Sequence, residues 1–252
     1  MTKIILSGAF GRMGRAVTAA AIERGDIAIA AGIDPVGGAA EFSLYAGPEA
    51  IPAECAADAI IDFSHHTALP ELLAFAIARN LPIVVATTGH DEQELAAMHA
   101  AAKKIPVFYS RNMSLGINLL IDLCRRASLA LGTGFDVEII ERHHNRKLDA
   151  PSGTALMLAD AIAETREETE YVYDRHTVRR QRDPSEIGIH AVRGGTIVGE
   201  HEVMFAGRDE VITLSHSAAS REVFATGALA AAHWLPGKPA GLYAMQDLIK
   251  EL

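Results

Sequence analysis

Five of the six residues from 142 to 147 are cationic or can become so: Arg142, His143, His144, Arg146 and Lys147. Shortly after them comes Ser152-Gly153-Thr154, opening what reads as a helix, because Leu156, Ala159, Ile162 and Ala163 recur at helical spacing. The first turn of a helix exposes N–H groups that lack intrahelical partners, at the positive end of the helix dipole. A carboxylate can be held there by amides and a hydroxyl, and Gly153 puts no Cβ in its way. Histidine titrates near neutrality, and a partly desolvated lysine can give up a proton, so the stretch could both bind an acid and move protons. A charged loop between two elements is most often only solvated. Here the hydroxyl and glycine at a helix start coincide with the cations, and that coincidence argues for a site.

The chain as a whole is acidic, with a formal net charge of −9 over 252 residues. Against that background a local cation cluster points to a small anionic ligand rather than nucleic acid. With 49% hydrophobic residues the chain can bury one large core or two modest ones. Two cysteines, Cys55 and Cys124, form neither a CxxC motif nor a disulfide framework, and both read as core residues of a cytoplasmic protein. No apolar run has the length of a membrane span, and the chain leads from Met1 directly into a strand rather than a signal peptide.

The elements that must position the cluster follow from periodicity. The β-branched Val137, Ile139 and Ile140 predict a strand leading into it. Residues 3–7 read as a buried strand, followed by Gly8-Ala9-Phe10-Gly11-Arg12-Met13-Gly14 and a helix with Met13, Val17 and Ala21 on one face. This is the order of a dinucleotide-binding fold, although the spacing is Gly-x-x-Gly-x-x-Gly rather than the commoner Gly-x-Gly-x-x-Gly. A second strand, 27–33, ends at Asp34, where an acid can bond the adenosine ribose. Asp34 would repel a 2′-phosphate, and residues 35–41 supply no cation to offset it, so NADH is expected to be preferred. Arg12, which could reach a phosphate, makes this a bias rather than an exclusion of NADPH.

Further strands at 59–64, 83–86 and 105–109 alternate with helices, one accepting Pro70 in its first turn and one opened by Asp91 and Glu94 as a capping box. Such alternation implies a parallel sheet whose ligands gather at the strand carboxyl ends. The glycine turn, Phe63, Thr87, Thr88 and Ser110 to Met113 would lie on that edge. A helix from Ser114 to about Leu131 then delivers the chain to the cationic loop, with a domain boundary near residue 114. The polar run 166–184, with Arg175, His176, Arg179, Arg180 and Arg182, reads as a surface loop. Residues 188–205 and 210–216 read as an antiparallel meander with turns at Gly194-Gly195 and Gly207-Arg208-Asp209. His190, His201 and His216 are assigned to packing, since their spacing does not suggest a metal, and none is expected.

The stretch Glu138-x-x-Glu141-x-His143-His144-x-x-Lys147-x-Asp149-Ala150-Pro151-Ser152-Gly153-Thr154-Ala155 resembles the signature of the 4-hydroxy-tetrahydrodipicolinate (dihydrodipicolinate) reductases. The resemblance extends to Ala86-Thr87-Thr88-Gly89, where that family has Gly-Thr-Thr-Gly, and to Asn112-Met113-Ser114, where it has Asn-Phe-Ser. It implies a Rossmann-like α/β nucleotide domain, 1–114 with 221–252, and an α+β substrate-binding and tetramerisation domain, 115–220, with a mainly antiparallel open sheet.

The implied reaction is NAD(P)H-dependent reduction of a cyclic imine dicarboxylate to tetrahydrodipicolinate in lysine and diaminopimelate synthesis. His143 would be the proton donor or acceptor and Lys147 the proton donor, with His144, Ser152, Gly153 and Thr154 holding substrate. Cofactor contacts would come from Gly8, Ala9, Phe10, Gly11, Arg12, Met13, Asp34, Phe63, Ala86, Thr87, Thr88, Ser110, Arg111, Asn112 and Met113. The assembly implied is a homotetramer, with no nucleic-acid or membrane partner. A non-enzymatic nucleotide sensor would share the glycine turn but not turn over the imine. A metal hydrolase built on His143 and His144 is disfavoured because adjacent strand residues point oppositely.

Overall fold

The structure, a computed structural model, describes residues 1–251. The strands, in chain order, are β1 (Thr2–Ser7), β2 (Ile27–Ile33), β3 (Ser43–Tyr45), β4 (Ala59–Asp62), β5 (Ile83–Val85), β6 (Pro106–Tyr109), β7 (Asp136–His143), β8 (Glu170–Val172), β9 (Glu186–Arg193), β10 (Gly199–Ala206), β11 (Val211–Ala218) and β12 (Gly241–Tyr243). The helices are α1 (Arg12–Arg24), α2 (Leu69–Arg79), α3 (Glu92–Ala101), α4 (Leu115–Leu131), α5 (Gly153–Ala163), α6 (Glu222–Trp234) and α7 (Met245–Lys250). They form two compact units, residues 1–115 together with the chain from Arg221 onward, and Gly116–Ser220.

The first unit is built on a parallel seven-stranded sheet in the order β12-β6-β5-β4-β1-β2-β3. Its central strands are apolar on both faces because both are covered: Ile4, Ile5, Leu6, Ile60 and Ile61 are fully buried. One face packs under α1, α6 and α7 and the other under α2 and α3. Strand order runs outward from β1 in one direction and from β4 in the other, so the crevice between those two strands is the topological switch point where doubly wound sheets bind ligands. Helix α1 buries Gly14, Val17 and Ala21, spaced three and four apart, and Gly25 stops it with φ +72°. The predicted capping box forms at α3, where the Glu94 N–H donates to Asp91 Oδ1 at 2.8 Å and the Asp91 N–H to Glu94 Oε2 at 2.9 Å.

The second unit is a five-stranded mixed sheet in the order β11-β10-β7-β9-β8. One face, carrying Val137, Ile139, Val203, Phe205, Ile187 and Ile189, is packed beneath α4 and α5. The expected meander needs correction. β9 and β10 are not neighbours, because β7 lies between them, parallel to β9 and antiparallel to β10. The chain leaves β7, runs through α5 and comes back as a parallel strand, which takes a crossover and not a hairpin. Gly194 and Gly195 therefore turn beneath the end of β7, with the Gly194 N–H donating to the His143 carbonyl and the Asn145 N–H to the Gly195 carbonyl.

The run 166–184 also differs from a plain surface loop. It contributes β8, and its arginines neutralise carboxylates of β7 and β9: Arg175 pairs with Glu138 and Glu186, Arg180 with Glu186, and Arg182 with Asp136. Glu186 is almost fully buried, which explains why so many cations converge on it.

Candidate functional site

In the first unit the turn between β1 and α1 is dictated by close approach. Gly8 has φ +77°, and a Cβ there would lie 2.6 Å from the Phe63 carbonyl oxygen. A Cβ on Gly14 would come within 2.1 Å of the Gly8 oxygen, so the third glycine lets α1 seat directly on the turn. The helix begins at Gly11 with no side-chain cap and no acid in its first turn. Its opening N–H groups are thus left to an external acceptor, which suits a pyrophosphate.

Asp34 is brought to this turn. Its Oδ2 accepts the Phe10 N–H at 2.9 Å and its Oδ1 the Val36 N–H at 3.0 Å, so the acid braces the loop it was expected to serve.

The neighbouring carboxyl-end loops are tied together by a fully buried acid that sequence reasoning missed. Asp62 Oδ1 accepts from the Ser64 N–H and hydroxyl, and Oδ2 from the Thr87 hydroxyl at 3.0 Å. Phe63, Ala86 and Thr87 are therefore adjacent, while Thr88 is exposed. Beyond β6, Ser110 donates to the Asn112 carbonyl at 2.7 Å, Arg111 is exposed, and the Met113 side chain enters the core. Of the expected nucleotide residues, the side chains of Ala9 and Met113 face inward and leave only backbone groups for a ligand. The turn, the uncapped helix start and the ribose-side acid together fit a nicotinamide dinucleotide.

In the second unit the alternation of β7 puts Val137, Ile139, Glu141 and His143 on its buried face. A glutamate and a histidine on an otherwise apolar face must satisfy each other, and they do: His143 Nδ1 lies 2.6 Å from Glu141 Oε2. The fully buried Glu141 also accepts from both terminal nitrogens of Arg193, at 2.8 and 2.7 Å, and from the Ser152 N–H at 3.0 Å. Burial would raise this carboxyl, but the hydrogen bonds from Arg193, His143 and Ser152 outweigh it and hold the group below the usual glutamate range. Arg193 in turn donates to the Asp149 carbonyl at 2.6 Å, and the Asp149 carboxylate sits 2.9 Å from Lys147 Nζ. That ammonium, first of all, keeps Asp149 below its ordinary range.

Ser152 caps α5 by accepting the Ala155 N–H at 3.1 Å, and its Oγ is 3.1 Å from His201 Nε2. Expected as a ligand contact, its hydroxyl is turned inward because the cap and His201 occupy it. Gly153 and Thr154 open the helix, and a Cβ on Gly153 would meet nothing within 4 Å, so approach to the first turn is open. The His201 ring stands edge-on to that of His143, centroids 5.3 Å apart. Burial, reinforced by His143, drives its pKa down to about 3, so it is a neutral neighbour. His144 is half-buried, and Lys147 keeps 21% of its side chain exposed.

The structure thus gathers His143, Lys147, Ser152, Gly153 and Thr154 at one end of the sheet, and adds Glu141, Asp149, Arg193 and His201. The two-residue offset of Glu141 from His143 was the readable signal for the first of these. Arg193 and His201 gave no signal, being placed only by strand register. Among the described residues no group of three or more His, Cys, Asp or Glu is arranged to hold a metal, and no helix is long and apolar enough to cross a membrane.

A switch-point crevice with a bare helix start in one unit, and titratable side chains beside an open helix start in the other, are the parts of a nicotinamide-dependent oxidoreductase. Residues 2–113 match the family described as dihydrodipicolinate reductase, N-terminus, and residues 116–249 its C-terminus. The chain is 53% identical over 252 residues to the 4-hydroxy-tetrahydrodipicolinate reductase of Caldanaerobacter subterraneus subsp. tengcongensis, covering 100% of this chain and 99% of the relative. It is 47% identical to that of Clostridium novyi, over 99% of both. A dipicolinate-bound dihydrodipicolinate reductase from Paenisporosarcina sp. TG-14 superposes with a TM-score of 0.81 at 25% identity, covering 97% of each chain. An amine dehydrogenase from Mycobacterium smegmatis, at 10% identity and a TM-score of 0.64 over 97% of this chain and 95% of that one, shares the fold. The chain belongs to the dihydrodipicolinate reductase family.

Proposed function

We propose that the first unit holds the nicotinamide nucleotide and the second a cyclic imine dicarboxylate. The activity is that of the family, the nicotinamide-dependent reduction of 4-hydroxy-tetrahydrodipicolinate to tetrahydrodipicolinate in lysine and diaminopimelate synthesis. When bound, the nucleotide supplies the hydride. Gly8, Ala9, Phe10 and Gly11, whose own amides are already bonded within the protein, shape the approach to the start of α1, where Arg12 and Met13 offer backbone amides and Arg12 a cation, Asp34 the ribose contact, and Phe63, Ala86, Thr87, Thr88, Ser110, Arg111, Asn112 and Met113 the remaining loop contacts. Asp34 disfavours a 2′-phosphate, which supports NADH over NADPH.

In the second unit the amides of Gly153 and Thr154 receive a carboxylate, His144 serves as a further substrate contact, and the inward Ser152 hydroxyl keeps that helix start in place. Lys147 supplies a proton to the reduced ring and His143 donates or accepts one. The observation that carries this reading is the buried Glu141–His143 pair set against the open start of α5. The long outer strand β11, with exposed Val211, and the exposed Val192 and partly exposed Ile140 and Met204 on the uncovered face of the sheet support self-association into a homotetramer. A cytoplasmic location accords with two free cysteines.

The test is a coupled assay that generates the imine from pyruvate and aspartate semialdehyde and follows loss of nucleotide absorbance. Turnover with a higher kcat/KM for NADH than for NADPH is expected. No turnover with either nucleotide would remove the assignment, and an equal or better value with NADPH would remove the cofactor preference alone.

A further inference from the structure

Glu141 lies at the centre of the second unit's site without being able to touch a ligand, since it is fully buried and each carboxylate oxygen is already shared by two donors. Oε2 receives His143 and one nitrogen of Arg193, and Oε1 receives the Ser152 amide and the other. Through these four bonds one side chain links the proton-handling histidine on β7, the helix start that would take a carboxylate, and Arg193. Arg193 in turn holds the Asp149 carbonyl in the loop that carries Lys147.

The bond to His143 also sets its chemistry. Because Glu141 stays ionised, the imidazole nitrogen 2.6 Å away must be a donor, so neutral His143 carries its proton on Nδ1 and its lone pair on Nε2. The other groups facing His143 do not compete for this choice: Arg193 from β9 is engaged bidentately by Glu141, and neutral His201 from β10 is bonded to Ser152 on α5. Gly199 on β10 keeps Nε2 clear, since a Cβ there would come within 3.1 Å of it.

We infer that Glu141 is the positioning residue of the reaction, fixing His143 in the Nδ1–H tautomer so that Nε2 is the atom that exchanges a proton, and clamping the helix start and the Lys147 loop to it. This rests on the roles proposed above for His143 and Lys147. Glu141→Gln preserves shape but leaves one acceptor where there were two. With two donors at each oxygen, the amide NH2 must face two of the four, and whereas the Ser152 backbone amide keeps its proton, His143 can relieve its share of the conflict by moving its own to Nε2.

The test is long-range 15N correlation NMR of histidine-labelled protein above the histidine pKa, with the His143 peaks assigned by their loss in His143→Gln, alongside steady-state kinetics. Wild-type His143 should show a protonated Nδ1 and a bare Nε2. In Glu141→Gln the pattern should invert and kcat fall by about a hundredfold or more, while KM for NADH and NADH binding stay within about twofold. A wild-type His143 protonated on Nε2, or an unchanged tautomer and kcat in Glu141→Gln, would overturn the inference. The wild-type spectrum needs no variant, so it decides even if Glu141→Gln folds poorly. Failure of the underlying reading looks different: His143→Gln would then turn over the imine normally, whatever the tautomer.

Discussion

Two helix starts stand at the two proposed binding sites of this chain, and they are built in opposite ways. Helix α1 begins at Gly11 with neither side-chain cap nor acid, so its opening amides are left bare. Helix α5 begins at a serine cap wired to Glu141 and His201, with His143 and Lys147 close by in the chain. A pyrophosphate keeps its charge throughout a hydride transfer, so amides and the helix dipole suffice for it. An imine being reduced must also gain a proton, so its site needs titratable groups and a buried scaffold to orient them. The first start is therefore specified by what is missing and the second by what is wired together.

The contrast breaks first on catalysis. His143→Ala and Lys147→Ala should each lower kcat by about 10²- to 10⁴-fold while the dissociation constant for NADH, followed by fluorescence titration, stays unchanged. Wild-type turnover in both would remove the distinction between the two starts.

Next is Gly14→Ala. Its methyl group would lie 2.1 Å from a backbone oxygen that cannot move aside, so urea denaturation should show a loss of about 2–3 kcal/mol, with weakened NADH binding. Unchanged stability would mean that bare backbone is not what this start requires.

A smaller effect, on acid stability, sharpens the wiring of α5. His201 titrates at about 3 in the folded chain and near 6.5 when exposed. Below pH 6.5 the unfolded chain takes up a proton that the folded one refuses. Its stabilising contribution is thus complete above pH 6.5 and is lost progressively as the pH falls toward 3. His201→Asn should flatten the decline in stability between pH 6.5 and 4.5, where most carboxylates remain ionised, by about 1–2 kcal/mol. An identical slope in the variant would show that His201 is not buried neutral.

The smallest change is expected from Gly153→Ala, whose Cβ enters open space. Stability should move by less than about 1 kcal/mol, if anything upward, because alanine is the better helix residue. The KM for the imine should rise, and an unaltered KM would place the carboxylate elsewhere.

Much of this was readable in the chain. The glycine turn, the Asp91–Glu94 box, β2 and the helix from Gly153 to Ala163 follow rules that act within a few residues, so periodicity and caps announce them. The short strands β3, β8 and β12 carry too few residues to show a period, and β12 pairs with β6, 135 residues earlier in the chain. The meander misread β9 for a related reason. Alternation reports which face of a strand is buried, not which strand lies beside it, and the insertion of β7 between β9 and β10 is a property of the sheet.

By itself the sequence determined the residue types at each helix start, the local turns that present them and the buried face on which Glu141 and His143 both fall. Only the tertiary structure decided that Arg193, 52 residues from Glu141, and His201, 49 residues from Ser152, complete the second site. Ladder register brings them there, and a register is chosen by the whole buried face of a sheet at once rather than by any local run of residues.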